Sequence, residues 1–290
     1  MTERGTLQQA ATTDEVIACF VAHELRDGER VAAGANLPVV RCGALLAHLT
    51  HGPNMRLFVS MSFTNLLHVP VPEAYPTAMD FRGTRWGEAF VRHDETLSAI
   101  PRLADSFVVG ALQVDPYGNS NLIGRAGAGE RRFAMRGPGA LATPTMADHV
   151  SRYYIFLTRH TPEVLVERCD FVSCVGWGRP ETPGLTREAL RLPGGGPRYC
   201  ITPLGILDFG GSQHHARLAS VHPGVDPDEV VAATGFALEM PARVPTTPFP
   251  TDDELRTLRT RVDPGGSLRQ PQSRPPTARP RPGASRTRVP

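Results

Sequence analysis

Along residues 12–265 the apolar positions switch between two spacings, and each switch marks a change of element. Thr12-Thr13-Asp14-Glu15 reads as a capping box, and Val16, Ile17, Phe20, Val21 and Leu25 follow at helical spacing, so a first helix is predicted to about Arg26. Asp27-Gly28 turns the chain into a short apolar strand at 31–34. Gly34-Ala35-Asn36-Leu37-Pro38 then leads into a helix carrying Leu45, Leu46 and Leu49.

A second strand is predicted at 55–59, with more at 107–112, 154–157, 171–175 and 199–202. These runs are short and apolar throughout, the pattern of strands buried on both faces. Asp226-Pro227-Asp228-Glu229 opens a helix that Gly235 is placed to end. Thr251-Asp252-Asp253-Glu254 is a second capping box, opening a final helix stopped by Asp263-Pro264-Gly265. The alternation predicts an α/β protein with an open, largely parallel sheet and flanking helices. Without an internal repeat or linker, residues 1–265 read as one domain.

The last residues break the pattern. Between 271 and 290 there are six prolines, five arginines and no acid, so 266–290 is expected to be a disordered Pro/Arg-rich tail. Removing those five charges from the net +2 leaves 2 − 5 = −3 for residues 1–270. The body is mildly acidic, and a tail with spread arginines and no aromatic residue does not predict a nucleic-acid partner.

All 31 basic residues are arginine, which excludes lysine Schiff-base chemistry from this chain. No run of about 18 apolar residues predicts a membrane span, and the polar, acidic start does not read as a secretory signal. A cytoplasmic location is expected. The five cysteines form no C-x-x-C pair, so neither a disulfide framework nor a zinc site is predicted.

The sequence holds no G-x-x-x-x-G-K, H-E-x-x-H or G-x-S-x-G. Polar residues instead gather in two loops, 113–121 and 136–140. The first is either a turn, since Asp-Pro and Gly-Asn are turn formers, or a cluster of amides and a carboxylate converging on a substrate. The glycines of the second would let backbone N–H groups approach an oxyanion or phosphate.

The string Gly110-Ala111-Leu112-Gln113-Val114-Asp115-Pro116-Tyr117-Gly118-Asn119-Ser120-Asn121 resembles the G-x-x-Q-x-D-x-Y-G-N-x-N motif of family I CoA-transferase β subunits, such as that of glutaconate CoA-transferase. Gly34-Ala35-Asn36-Leu37-Pro38, His51-Gly52-Pro53-Asn54, the glycines at 137 and 139, and Leu204-Gly205-Ile206-Leu207-Asp208-Phe209 extend the likeness over nearly all of 14–265. The second half also resembles β subunits of the acyl-CoA ring-opening hydrolases of bacterial steroid breakdown. That likeness rests on Asp208-Phe209-Gly210-Gly211, Val221-His222-Pro223-Gly224-Val225 and Pro250-Thr251-Asp252-Asp253-Glu254-Leu255.

The resemblance implies a CoA-transferase-type open α/β fold and a related α subunit as partner, in a heterodimer or heterotetramer. It implies an acyl-CoA or acyl carrier protein thioester as substrate, with coenzyme A entering as part of the substrate, no bound cofactor and no metal. Residues implied to contact substrate or CoA are Gly34, Asn36, Gln113, Asp115, Gly118, Asn119, Asn121, Gly137 and Gly139.

One departure changes the expected reaction. The transferases attack the thioester with a glutamate at the end of the strand after this Pro-Asn segment, and that place falls at about Ser60. No acidic residue lies between Asn54 and Pro72. The catalytic candidates on this chain are then Ser60 and two histidines, His51 and His214, the latter beside His215. The expectation is an enzyme subunit acting beside an acyl-CoA carbonyl without a covalent glutamate. The alternatives are a CoA-transferase whose carboxylate comes from the partner, and a noncatalytic scaffold.

Overall fold

The computed structural model describes residues 11–34, 37–59, 62–64, 89–90, 98, 103–127, 133–182 and 184–270. Helix α1 (Thr13–Glu24) starts as its capping box requires: the Thr12 hydroxyl accepts the Glu15 N–H (3.2 Å) and Glu15 accepts the Thr12 N–H (2.9 Å). It stops at Glu24 rather than Arg26, because Leu25 turns extended to bury its side chain. Strand β1 (Arg30–Ala33), helix α2 (Pro38–Leu49) and strand β2 (Arg56–Val59) follow as the spacing predicts. Next come β3 (Ser62–Thr64), β4 (Ala89–Phe90), β5 (Ser106–Gly110), the hairpin β6 (Gln113–Val114) and β7 (Ser120–Asn121), and the ribbon β8 (Gly124–Ala126) and β9 (Phe133–Arg136). Helix α3 (Thr143–His149) returns the chain to β10 (Arg152–Phe156), followed by β11 (Pro197–Ile201), β12 (Gly205–Asp208), β13 (Arg217–Val221), α4 (Pro227–Ala232) and α5 (Asp252–Thr257).

The main sheet has the order β13-β12-β11-β10-β5-β1-β2-β3-β4. Its centre, β11-β10-β5-β1-β2, is parallel throughout, and antiparallel strands extend it at both edges. The antiparallel strands β12 and β13 are missed by the sequence reading. Conversely, residues 171–175 form no strand among the described residues; Cys174 only bridges to Ser120.

Side chains alternate across the central strands, so two cores form. Val31, Leu57, Val108, Tyr154, Phe156 and Ile201 meet α1, α2 and the C-terminal turns on one face. Ala32, Phe107, Val109, Tyr153 and Ile155 meet α3, the β6–β7 hairpin and the following loops on the other. Gly43 lets α1 and α2 touch: a Cβ there would stand 2.5 Å from the Ala18 carbonyl oxygen and 2.8 Å from Val21 Cβ.

After α5 the chain widens into a π-helical turn, Leu258–Val262, and then makes a 3-10 turn, Ser267–Arg269. Arg259 makes two hydrogen bonds (2.7 and 2.8 Å) to Glu15, which is almost fully buried. Leu268 is 3 % exposed and belongs to the first core, so the folded body runs past the boundary at 265 expected from sequence. Gly235 does not stop α4, which ends at Ala232; a Cβ there would stand 2.8 Å from the Pro162 carbonyl, so the position instead allows a close backbone approach. No helix among the described residues is long and apolar enough to cross a membrane.

Candidate active site

The site follows from the strand order. β1 and β5 are adjacent and parallel, yet β1 leaves through α2 toward β2 on one side, while the chain after β5 goes to β10 on the other. Connections that diverge from neighbouring strands leave a crevice above their carboxyl ends, where open α/β sheets bind ligands. Gly34 and Gly110 end the two strands. The Gly34 N–H donates to the Val108 carbonyl (2.8 Å), and Cβ atoms at both glycines would lie 3.3 Å from the Leu37 side chain, so small residues let Leu37 settle between the strand ends.

Leu37 is also the residue that opens α2. It offers no side-chain cap, and Pro38 stands in the first turn, so the helix presents its positive amino end at the crevice. Asn36 and Ser60 lie outside the described residues; β2, whose described end is Val59, pairs directly with β1. None of Gly34, Leu37, Gly110, Ala111 and Leu112 carries a titratable group.

The loop after β9 borders this crevice, since a Cβ on Gly137 would stand 2.5 Å from Leu112 Cδ1, just beyond the β5 terminus. Two of its amides are engaged. Gly137 donates to Ile123 O (2.8 Å) and Gly139, at φ +95°, donates to Leu122 O (3.0 Å). These two N–H groups therefore anchor the loop. Leu141 closes the loop with φ +42° and 74 % of its surface exposed. Nothing in the sequence marks it, because a leucine in the left-handed region has no local signature.

The 113–121 segment resolves toward the turn of the two alternatives. Asp115, almost fully buried, accepts the N–H groups of Tyr117 and Asn119 (both 3.0 Å) and the Asn119 Nδ2 (2.8 Å). Burial pushes its carboxyl up to about 6, against the pull of those donors. Asn119 Nδ2 also donates to Gly178 O (2.9 Å), and its Oδ1 accepts the Gly176 N–H (2.9 Å). Asn121 donates to Gln113 Oε1 (2.6 Å) and to Gly124 O (2.8 Å) and accepts from Ile123 (2.9 Å). Gln113 reaches Asp170 through its own amide (3.3 Å).

These side chains therefore converge on one another and on the 170–178 segment, not on an open cavity. Gly118, at φ +71°, seats the hairpin tip within 2.8 Å, measured from an added Cβ, of Phe209 and Pro197. Pro197 begins β11, so this tip lies at the end of the parallel strands opposite the crevice.

The two candidate histidines sit at that far end as well. His51 precedes β2 and donates from Nε2 to Leu25 O (3.1 Å). His214 follows β12, which runs antiparallel to β11, and stacks flat on Trp177 (centroids 3.8 Å apart, planes 6° apart). The structure thus brings Gly34, Gly137 and Gly139 to one crevice and leaves His51, His214 and Gly118 away from it.

A cavity of about 370 Å³ opens along the same carboxyl edge, past β10 and β11. Thr158, Pro203, the first turn of α1 with Thr12 and Asp14, and Leu268 with Arg269 line it. Among the described residues no group of His, Cys, Asp and Glu is placed to hold a metal ion.

No protein-family model matches the chain. It is 33% identical over 262 residues to the cholesterol ring-cleaving hydrolase IpdB subunit of Mycobacterium tuberculosis, covering 88% of this chain and 96% of that one. It is 30% identical over 267 residues to the β subunit of glutaconate CoA-transferase from Acidaminococcus fermentans, covering 89% and 95%. Its fold superimposes on a crystal structure of the decarboxylase AibA/AibB with a TM-score of 0.73 at 22% identity, covering 89% of this chain and 97% of that chain.

Proposed function

Because this chain belongs to the CoA-transferase family as a β-type subunit, we propose that it works with an α-type partner on an acyl-CoA thioester, breaking or forming a bond beside the thioester carbonyl rather than passing CoA between carboxylates. Coenzyme A enters as part of the substrate, and the same reading puts the complex in the cytosol.

The observation that carries this is the missing acid at the end of β2. CoA exchange through an acyl-enzyme needs a carboxylate that attacks the thioester and then holds CoA as its own thioester. Here β2 ends beside the crevice, and from Asn54 to Pro72 the chain has no Asp or Glu. A serine in that place forms an ordinary ester and needs a base beside it, whereas His51 and His214 lie at the opposite edge.

What the crevice does offer is the amino end of α2, small residues at both strand ends and a loop with fixed backbone. That set suits stabilising negative charge on a thioester oxygen, as an enolate or tetrahedral oxyanion. In this reading Gly34 and Asn36 contact the thioester, Ser60 lends space or a hydrogen bond where the glutamate would stand, and the proton-transferring carboxylate comes from the partner.

The test is to co-express the chain with its α-type partner and offer the complex a panel of acyl-CoA and 3-oxoacyl-CoA thioesters, with and without acetate, following products by mass spectrometry. Acceptor-independent cleavage or condensation is expected. CoA exchange that requires the acetate acceptor overturns the reading and restores a transferase.

A further inference from the structure

We propose that Leu141 is a specificity-determining residue, an apolar wall against which the acyl chain packs, so that the thioesters taken are those with a sizeable apolar acyl group. This rests on the acyl-thioester reading above.

Two independent features single out Leu141. A branched side chain at φ +42° occupies a region that L-residues other than Gly, Asn and Asp seldom visit, and such strain persists where surrounding structure imposes it. The same side chain is 74 % exposed and belongs to neither core among the described residues, so no packing there offsets the strain.

The backbone around it is held, not loose. Gly139 is tied to Leu122 (3.0 Å), and the Ala140 carbonyl accepts the Thr143 N–H (2.8 Å) as α3 begins. Two residues earlier the chain places a glycine where φ is positive, yet at 141 it places a leucine. A side chain kept in a position that glycine would fill without strain has a use, and its place says which.

The loop is fixed to Leu112 through Gly137, at the carboxyl end of β5 where the connections diverge. The α3 helix that follows runs to the start of β10, with Met146 and Ala147 packed in the second core, and Leu141 lies on the loop between Gly137 and that helix. The described crevice residues nearby, Gly110, Ala111 and Leu112, are apolar, so the leucine adds bulk to a surface that already favours hydrocarbon over charge.

The experiment uses the complex with its α-type partner, comparing wild type with Leu141→Gly and Leu141→Asn. Glycine relieves the backbone; asparagine keeps side-chain bulk and tolerates positive φ but is polar. Rates are read on straight-chain acyl-CoA substrates of increasing length, beside the melting temperature and recovery of the complex.

Both variants are expected to keep the partner, with the glycine variant melting no lower than wild type. In both, the ratio of kcat/KM for long over short acyl chains should fall by about 10- to 100-fold, the effect of losing one buried leucine-sized contact. An unchanged ratio, or equal loss on every chain length, overturns the proposal while leaving the acyl-thioester reading intact. Loss of the partner from either variant makes Leu141 an interface residue and also overturns it. A wild-type complex inert toward every thioester sinks the underlying reading, and the proposal with it.

Discussion

Replacing His160 by glutamine should change how the stability of the chain depends on pH. His160 is buried just past the carboxyl edge, with Nδ1 2.8 Å from Thr202 Oγ1 and Nε2 2.9 Å from Thr234 Oγ1. Burial drives its pKa down to about 4 from 6.5. The unfolded chain therefore takes up the proton first as pH falls, so the stabilisation due to the neutral ring is complete above pH 6.5 and is lost between 6.5 and 4. A gap of about 2.5 units at about 1.36 kcal/mol per unit gives about 3 kcal/mol over the whole window, of which about 2 kcal/mol goes between about pH 7.5 and 5.

Asp115 works in the opposite direction. Its carboxyl is raised to about 6, so the folded chain holds a proton that the unfolded chain releases, and its effect over the same fall in pH is a gain of about 1.4 kcal/mol. The two oppose each other over this window. Urea unfolding of the full chain at pH 7.5, 6.5, 5.5 and 5 isolates each: relative to wild type, His160→Gln should gain about 2 kcal/mol on acidification and Asp115→Asn should lose about 1.4 kcal/mol. If the difference between wild type and His160→Gln is the same at pH 7.5 and 5, the argument from burial is refuted.

Two further perturbations have effects set by packing and charge. Gly43→Ala forces a methyl group onto the Ala18 carbonyl between α1 and α2 and should cost about 1–3 kcal/mol in urea unfolding; a neutral result would mean the helices separate freely. Arg187→Met leaves the carbonyls of Val175, Ala147 and Gly194 without the buried guanidinium that joins them (3.0–3.1 Å), and should cost about 3 kcal/mol or more. The cost should also appear as faster amide exchange around Gly176, whose N–H is held by Asn119.

The central β/α units were legible in sequence because each is decided locally: a capping box at Thr12, a proline in the first turn of α2, and apolar runs short enough to be strands buried on both faces. What lay hidden depends on partners distant in sequence. β12 and β13 join the sheet through antiparallel pairing whose register no local spacing announces. Residues 171–175 have a strand-like run but face the hairpin, where Ser173 Oγ accepts the Leu122 N–H (2.8 Å) and no ladder forms. At the crevice, the glycines singled out at 34 and 137 lie at or beside the strand ends, while the amides of 137 and 139 are engaged within the loop; the positive φ of Leu141 leaves no trace in sequence.

The long motif from Gln113 to Asn121 has a consequence for reading other chains. Its amides and carboxylate satisfy one another, and its tip rests against Pro197 and Phe209, so it behaves as a keystone: remove a piece and the arch shifts, whatever passes beneath. A keystone is indifferent to traffic. Because its contacts are internal, the string speaks for the architecture of the subunit rather than for its reaction. In the reading proposed above, the reaction depends instead on the end of β2 and the loop at 137–141, two short stretches to compare before any name is carried from one such chain to another.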